Sequence, residues 1–163
     1  MSKHTEISAP PDTIVLIHGL WLTSLSWEYW AKRYSDRGYR VIARSWPGME
    51  GDIDALRRDP SAITALGVTD IVEHYERIIR ELDRPPILMG HSFGGLITEI
   101  LLDRGLGVAG VAIDPAPGKG IFVLPFASLK SALSGLKNPF EQQRAVALTL
   151  EQFHYGFTNH LTE

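Results

Sequence analysis

The sequence predicts an α/β domain built on a doubly wound, mostly parallel sheet. Three observations predict it. Apolar, β-branched runs recur at residues 13–17, 39–43, 87–89 and 108–113. Unbroken runs of this kind suit strands covered on both faces. Stretches with helical spacing lie between them, and strands alternating with helices imply parallel pairing through crossover connections. The third run ends in Gly90-His91-Ser92-Phe93-Gly94, a Gly-x-Ser-x-Gly pattern that marks a sharp turn from strand into helix.

Length and composition set the bounds. The 163 residues fit one domain with a sizeable core. A formal net charge of -3 gives no electrostatic reason to expect nucleic acid or an anionic membrane surface as a partner. The chain has no cysteine, which excludes disulfides, a thiol nucleophile and cysteine-ligated zinc. Residues 1–6 are polar with no apolar segment behind them, unlike a secretory signal. No apolar run approaches membrane-spanning length. The expected location is the cytoplasm.

In chain order, residues 1–12 read as a loose lead-in ending in Pro10-Pro11-Asp12. Thr13 to Ile17 is the first strand, followed by His18-Gly19-Leu20-Trp21. A helix is expected from Trp27 to Arg37, with Ser26 as N-cap and Gly38 as stop. Trp27, Trp30, Ala31 and Tyr34 would share its buried face. The second strand covers Tyr39 to Ala43, and the stretch from Ser45 to Gly67 reads as loop with short helical pieces. Asp70 to Leu82 is the clearest helix. Ile71, Val72, Tyr75, Ile78, Ile79 and Leu82 form its apolar stripe, and Pro85 follows its end. The Ile87 strand, the Ser92 turn and a helix to about Arg104 come next, then a fourth strand from Val108 to Ile113. After Gly118 the strand–helix rhythm stops. Residues 122–136 are mixed apolar and small, and Asn138-Pro139-Phe140-Glu141 is a helix start. Residues 1–118 are therefore read as the core and residues 119–163 as a helical cap.

The chemistry centres on the turn. Its glycines allow a bend too tight for side chains, and the bend lifts the Ser92 hydroxyl to the start of a helix. The positive end of that helix favours developing negative charge. The plainer reading is a close-packed, glycine-rich turn. The context favours the catalytic one: Pro85-Pro86 precedes the strand, and Leu96, Ile97, Ile100 and Leu101 follow at helical spacing.

Taken together, His18-Gly19-Leu20-Trp21 after the first strand, Pro47-Gly48 after the second, Gly90 to Gly95 after the third and Asp114-Pro115-Ala116-Pro117 after the fourth resemble the capped α/β-hydrolases of the esterase and cofactor-free haloperoxidase type. The resemblance covers residues 13–118 well and the cap more loosely. It implies that Ser92 is the nucleophile. It also implies that the backbone N–H groups of Phe93 and Leu20 form the oxyanion hole, since two donors must converge on the developing oxyanion. Trp21 and Trp46 would either line an acyl pocket or simply fill the core.

Among the histidines, His18 is expected to be structural, bonding nearby loop backbone. His91 is rejected as a base because its place in the turn points it away from the hydroxyl, and His74 is expected to be solvated. No histidine pair has HExxH-like spacing, so no metal site is expected. No phosphate-loop or dinucleotide fingerprint is present either, so no cofactor is expected.

The sequence departs from the family pattern after Gly118. A triad orders serine, acid and histidine along the chain, and the later strands that usually carry the last two are not found. Three readings follow: a chain lacking the C-terminal part of a hydrolase, a reduced enzyme using Asp114 as acid with His154 or His160 as base, or a sheet completed by another polypeptide at its open edge. For Asp114, however, a position before Pro115 favours the plainer reading, a residue that caps the turn. The functional expectation is cleavage of a small-molecule carboxylic ester, or a related acyl compound, through an acyl-Ser92 intermediate. Perhydrolysis would use the same residues. The alternative is a catalytically silent module that binds a small apolar ligand or a partner chain.

Overall fold

Thr13–Ile17 forms β1, and all five of its residues are buried. A computed structural model describes residues 10–64, 66–118 and 148–158 of the chain. β2 spans Arg40–Ala43, β3 Ile87–His91 and β4 Ala109–Ile113. They form one sheet in the order β2-β1-β3-β4, with every neighbouring pair parallel. The central register places Leu16 beside Ala43 on one side and Met89 on the other. The two central strands, β1 and β3, lead into the loops at His18 and Ser92.

Alternation along β1 divides the core. Val15 and Ile17 join Leu88 on one face, packed against Ile71, Val72, Tyr75 and Ile79 of α4 (Val68–Arg80) and against Ile97 and Leu101 of α5 (Phe93–Asp103). Ile14 and Leu16 join Met89 on the other face, against Trp27 and, in α1 (Glu28–Ser35), Ala31 and Tyr34. Burying each such aliphatic side chain contributes roughly 1.5–3 kcal/mol. The apolar run of β1 is thus explained by helices on both sides, and the doubly wound arrangement holds.

The α4 helix starts where Asp70 accepts a hydrogen bond from Gly67 N–H at 2.8 Å. Its Tyr75 is fully buried and donates to the Arg44 carbonyl at 2.6 Å, tying the helix to the loop after β2. The intervening stretch holds α2 (Ile53–Arg58) and α3 (Ser61–Thr64), the short helical pieces expected there. Surface ion pairs add little; one of them joins Arg84 to Asp12.

Four local expectations are corrected. First, Ser26 does not cap the first helix. A 3-10 turn over Ser24–Trp27 comes before α1, and its cap is Thr23, whose hydroxyl accepts Leu25 N–H at 3.3 Å. Ser26 lies inside that turn, and its hydroxyl donates backward to the Thr23 carbonyl at 2.8 Å. Second, Trp30 is 41% exposed: it lies at the rim of the α1 stripe, edge-on to Trp27. Third, His74 is half-buried rather than solvated, its ring set edge-on against Tyr75. Burial, then Arg77, lowers its pKa, with Glu50 and the Ser45 backbone opposing them. Fourth, β4 is not covered on both faces. Ala109 to Ala112 are all exposed, and among the described residues β4 pairs only with β3.

Gly38 has φ 87° and ends α1 as expected. At the far end of the chain, Leu150–Phe153 forms α6, continued as wider helical turns over His154–Thr158. Thr149 and Gln152 cap it reciprocally, through bonds of 2.8 and 3.2 Å. The helical expectations for residues 122–136, the helix start at Asn138, and His160 lie outside the described residues. Among the described residues, no helix is long and apolar enough to cross a membrane.

Candidate active site

Ser92 stands alone between β3 and α5 with φ 56° and ψ -119°. A non-glycine residue held there costs about 1–3 kcal/mol and persists only if its surroundings fix it. They do so through the backbone. Ser92 N–H donates to the Ile113 carbonyl at 3.0 Å, and its own carbonyl accepts from Gly95 at 2.9 Å and from Ala116 at 2.9 Å. β4, its following loop and α5 therefore all grip this one residue.

The flanking glycines are required sterically. A Cβ on Gly90 would strike the Gly94 carbonyl, and one on Gly94 would lie 2.6 Å from the His18 carbonyl oxygen. The first turn of α5 consequently sits directly on the end of β1. Thr98, fully buried, donates to the Gly94 carbonyl at 2.8 Å and closes that turn.

The loop after β1 lies against the turn. A Cβ on Gly19 would be 3.1 Å from Ser92 Cβ and 3.1 Å from the His91 carbonyl oxygen. The two expected oxyanion donors, Leu20 N–H and Phe93 N–H, each lack a hydrogen-bond partner among the described residues. Phe93 is the first residue of α5, where orphan N–H groups and the helix dipole both favour an anion.

His18 anchors that loop, in line with its expected structural role. It is fully buried. Its Nδ1 bonds the Gly19 carbonyl at 2.9 Å, its Nε2 accepts Trp46 N–H at 3.1 Å, and the Trp46 ring stacks on it at 4.8 Å. Burial lowers its pKa to about 4, with the Gly19 carbonyl partly opposing the shift. Trp46 is thereby a core residue, 6% exposed. Trp21 is half-buried, with φ 61°.

The other candidates are placed as follows. Asp114 follows β4 with φ 42° and is exposed. Its carboxylate makes no hydrogen bond among the described residues, so it does not cap its loop. His91 is half-buried at the end of β3 and makes no hydrogen bond to Ser92. His154 is exposed and bonds Thr158 Oγ1 at 2.9 Å within its own turn.

One feature escaped the sequence. Among the described residues, the non-glycine residues with positive φ are Trp21, Ser92 and Asp114, one after each of the neighbouring strands β1, β3 and β4. Backbone strain concentrates at functional sites, and ligands of open α/β sheets bind beyond the carboxyl ends of the strands. A groove of about 230 Å³ involving Asp12, Arg40 and Arg84 lies instead at the amino ends, away from this cluster. Among the described residues, no group of three or more His, Asp or Glu converges to hold a metal ion.

Comparison with known proteins gives the same picture. Residues 14–159 match the alpha/beta hydrolase family. An extracellular alpha/beta-hydrolase from a Paenibacillus species, described as sharing structural and functional homology with tobacco salicylic acid binding protein 2, is similar with 25% identity and a TM-score of 0.66, over 93% of this chain and 61% of that one. A monoacylglycerol lipase from Paleococcus ferrophilus is similar with 26% identity and a TM-score of 0.54, over 77% of this chain and 48% of its own. The thioesterase domain of the curacin biosynthetic pathway shares the fold, with 23% identity and a TM-score of 0.51, over 78% of this chain and 45% of its own. A search of curated proteins returned no match. The chain thus spans about three fifths of the length of the first of these structures and about half of the other two. With residues 14–159 matched and the strand–serine–helix turn in place, the chain belongs to the alpha/beta hydrolase family.

Proposed function

We propose that this chain carries the nucleophile side of a serine hydrolase that cleaves a small carboxylic ester or a related acyl compound. The observation that carries the proposal is Ser92 at φ 56°, with the N–H of Phe93, next in the chain, and that of Leu20, in the loop whose Gly19 packs on Ser92, both without a hydrogen-bond partner among the described residues. In the reaction Ser92 Oγ bonds the acyl carbon, and its proton passes to a base. The carbonyl π electrons move onto oxygen, and the two N–H groups donate hydrogen bonds to that oxyanion. Collapse expels the alcohol, protonated by the same base, and leaves an acyl-Ser92 ester. Water repeats the sequence and releases the acid. A single oxyanion donor is worth roughly 10²–10³ in rate.

The reading also requires a base and an acid that orients it. Asp114 is the acid candidate, one residue beyond Ile113, whose carbonyl receives Ser92 N–H. His154 and His160 are the base candidates. The lipase similarity supports acyl chemistry as the class. The test is turnover of p-nitrophenyl esters of graded acyl length by the chain and by Ser92→Ala. Turnover lost in the variant, with unfolding unchanged, supports the enzyme.

A second reading is a silent module binding a small apolar ligand or a partner chain. It is favoured by the Ser92 hydroxyl, which has no hydrogen-bond partner among the described residues, and by the exposed β4 with Val111 44% exposed. No turnover in either form, with ligand affinity equal in both, would support it.

A further inference from the structure

We propose that His18, locked by the Trp46 backbone, is the positioning residue that aims the Leu20 N–H at the acyl oxygen. The inference rests on the reading of Ser92 as an acyl-transfer nucleophile and adds the part that sets its oxyanion hole.

The Gly19 carbonyl and the Leu20 N–H belong to one peptide unit. That unit is planar and trans, so its oxygen and its hydrogen point in opposite directions. Whatever holds the oxygen therefore aims the hydrogen. The oxygen is held by His18 Nδ1 at 2.9 Å, with Leu22 N–H at 3.4 Å as a weaker second donor. The Leu20 N–H is left facing away from the buried His18–Trp46 pair. It lies in the loop whose Gly19 packs on Ser92, close enough that a Cβ there would be 3.1 Å from Ser92 Cβ.

A neutral imidazole holds a single proton, and its hydrogen-bond partners decide which nitrogen carries it. Trp46 N–H donates to Nε2 at 3.1 Å, so Nε2 must be bare. The proton is then on Nδ1, the nitrogen that faces the Gly19 oxygen. In the opposite tautomer a lone pair would meet that oxygen and one N–H would meet another, and both contacts would be lost. The Trp46 ring, stacked on the imidazole with an interplanar angle of 20°, fixes the plane in which both bonds are made. His18 is fully buried, so water cannot replace either partner.

The test uses the intact chain and its His18→Leu, His18→Asn and Ser92→Ala variants. Nitrogen NMR of the wild-type imidazole at neutral pH reads the tautomer without any catalysis. A protonated Nδ1 with a bare Nε2 is expected, and the reverse tautomer overturns the proposal. The second readout is the labelling of Ser92 by a fluorophosphonate probe, analysed for maximal rate and half-saturating concentration. A donor misplaced by about 1 Å costs on the order of 100-fold. His18→Leu should lose about that much in maximal rate, with half-saturation within about two-fold. His18→Asn, whose amide can still donate to the Gly19 oxygen, should recover about ten-fold of it. A folded His18→Leu variant that labels at the wild-type rate overturns the proposal. If the wild-type protein itself does not label, the hydrolase reading fails and the aim at an acyl oxygen falls with it, while the tautomer still decides whether His18 holds the Gly19–Leu20 peptide.

Discussion

His18 should make the protein's stability depend on pH in a way that a variant can isolate. Burial lowers its pKa from 6.5 to about 4. For a base with a depressed native pKa, the unfolded chain takes up the proton first. Stability is therefore highest above pH 6.5, falls as the pH drops through 6.5, and levels off below about 4. The magnitude follows from the two pKa values. At pH 5 the unfolded chain gains roughly 2 kcal/mol from protonating this group while the native chain gains roughly 0.1. The full shift corresponds to about 3 kcal/mol. The residue is fully buried, so solvent screening does not reduce that figure. The assay is urea unfolding followed by tryptophan fluorescence, at pH 8 and pH 5, for the wild type and His18→Asn. His74 titrates in both proteins and cancels in the comparison. The variant should be less stable at pH 8, because Trp46 N–H loses its acceptor, and the gap should close by about 2 kcal/mol at pH 5. An unchanged gap would refute a buried, neutral His18.

Three further substitutions probe the frame around Ser92. Gly94→Ala would normally stabilise a helix by about 1 kcal/mol. Here the new Cβ lies 2.6 Å from the His18 carbonyl oxygen, so thermal denaturation should show a loss of about 3 kcal/mol or more, and an unchanged midpoint would contradict the close approach of α5 to β1. Ser92→Gly should raise stability by on the order of 1 kcal/mol, the strain at φ 56° outweighing the entropy of glycine; a destabilised variant in chemical denaturation would argue against strain there. Tyr75→Phe removes the 2.6 Å bond to the Arg44 carbonyl and should cost about 1–2 kcal/mol in the same assay, with a neutral result implying that the loop after β2 is held by other contacts.

Much of this fold is written locally. The stripe from Ile71 to Leu82 has one solution, an amphipathic helix, because its 3.6-residue period is unbroken. The turn at Ser92 was legible because its glycines are steric requirements: Gly90 and Gly94 face backbone, where no side chain fits. The resting place of β4 was less legible. Its apolar run reads like that of β1, yet Ala109 to Ala112 are exposed, because cover depends on neighbours that the run itself does not specify. Ser26 stands where a cap of the expected helix would, and only the geometry of the 3-10 turn decides that it donates backward while Thr23 caps. The commitment of both His18 nitrogens was hidden for a related reason. Trp46 is 28 residues away along the chain, and its donor is a backbone N–H that any residue other than proline could supply. The positive φ of Asp114 ran against its position before Pro115, where extended backbone is favoured. Aspartate tolerates the left-handed region better than most residues, which makes the conformation affordable once β4 and Ser92 are joined.

The most direct test of the central claim is covalent labelling of the purified chain by a fluorophosphonate probe, read by mass spectrometry, with Ser92→Ala as control. An activated Ser92 should take up one probe per chain, mapped to that residue and absent from the control. A folded chain that remains unlabelled, or is labelled equally with and without the Ser92 hydroxyl, would contradict the assignment of Ser92 as the nucleophile.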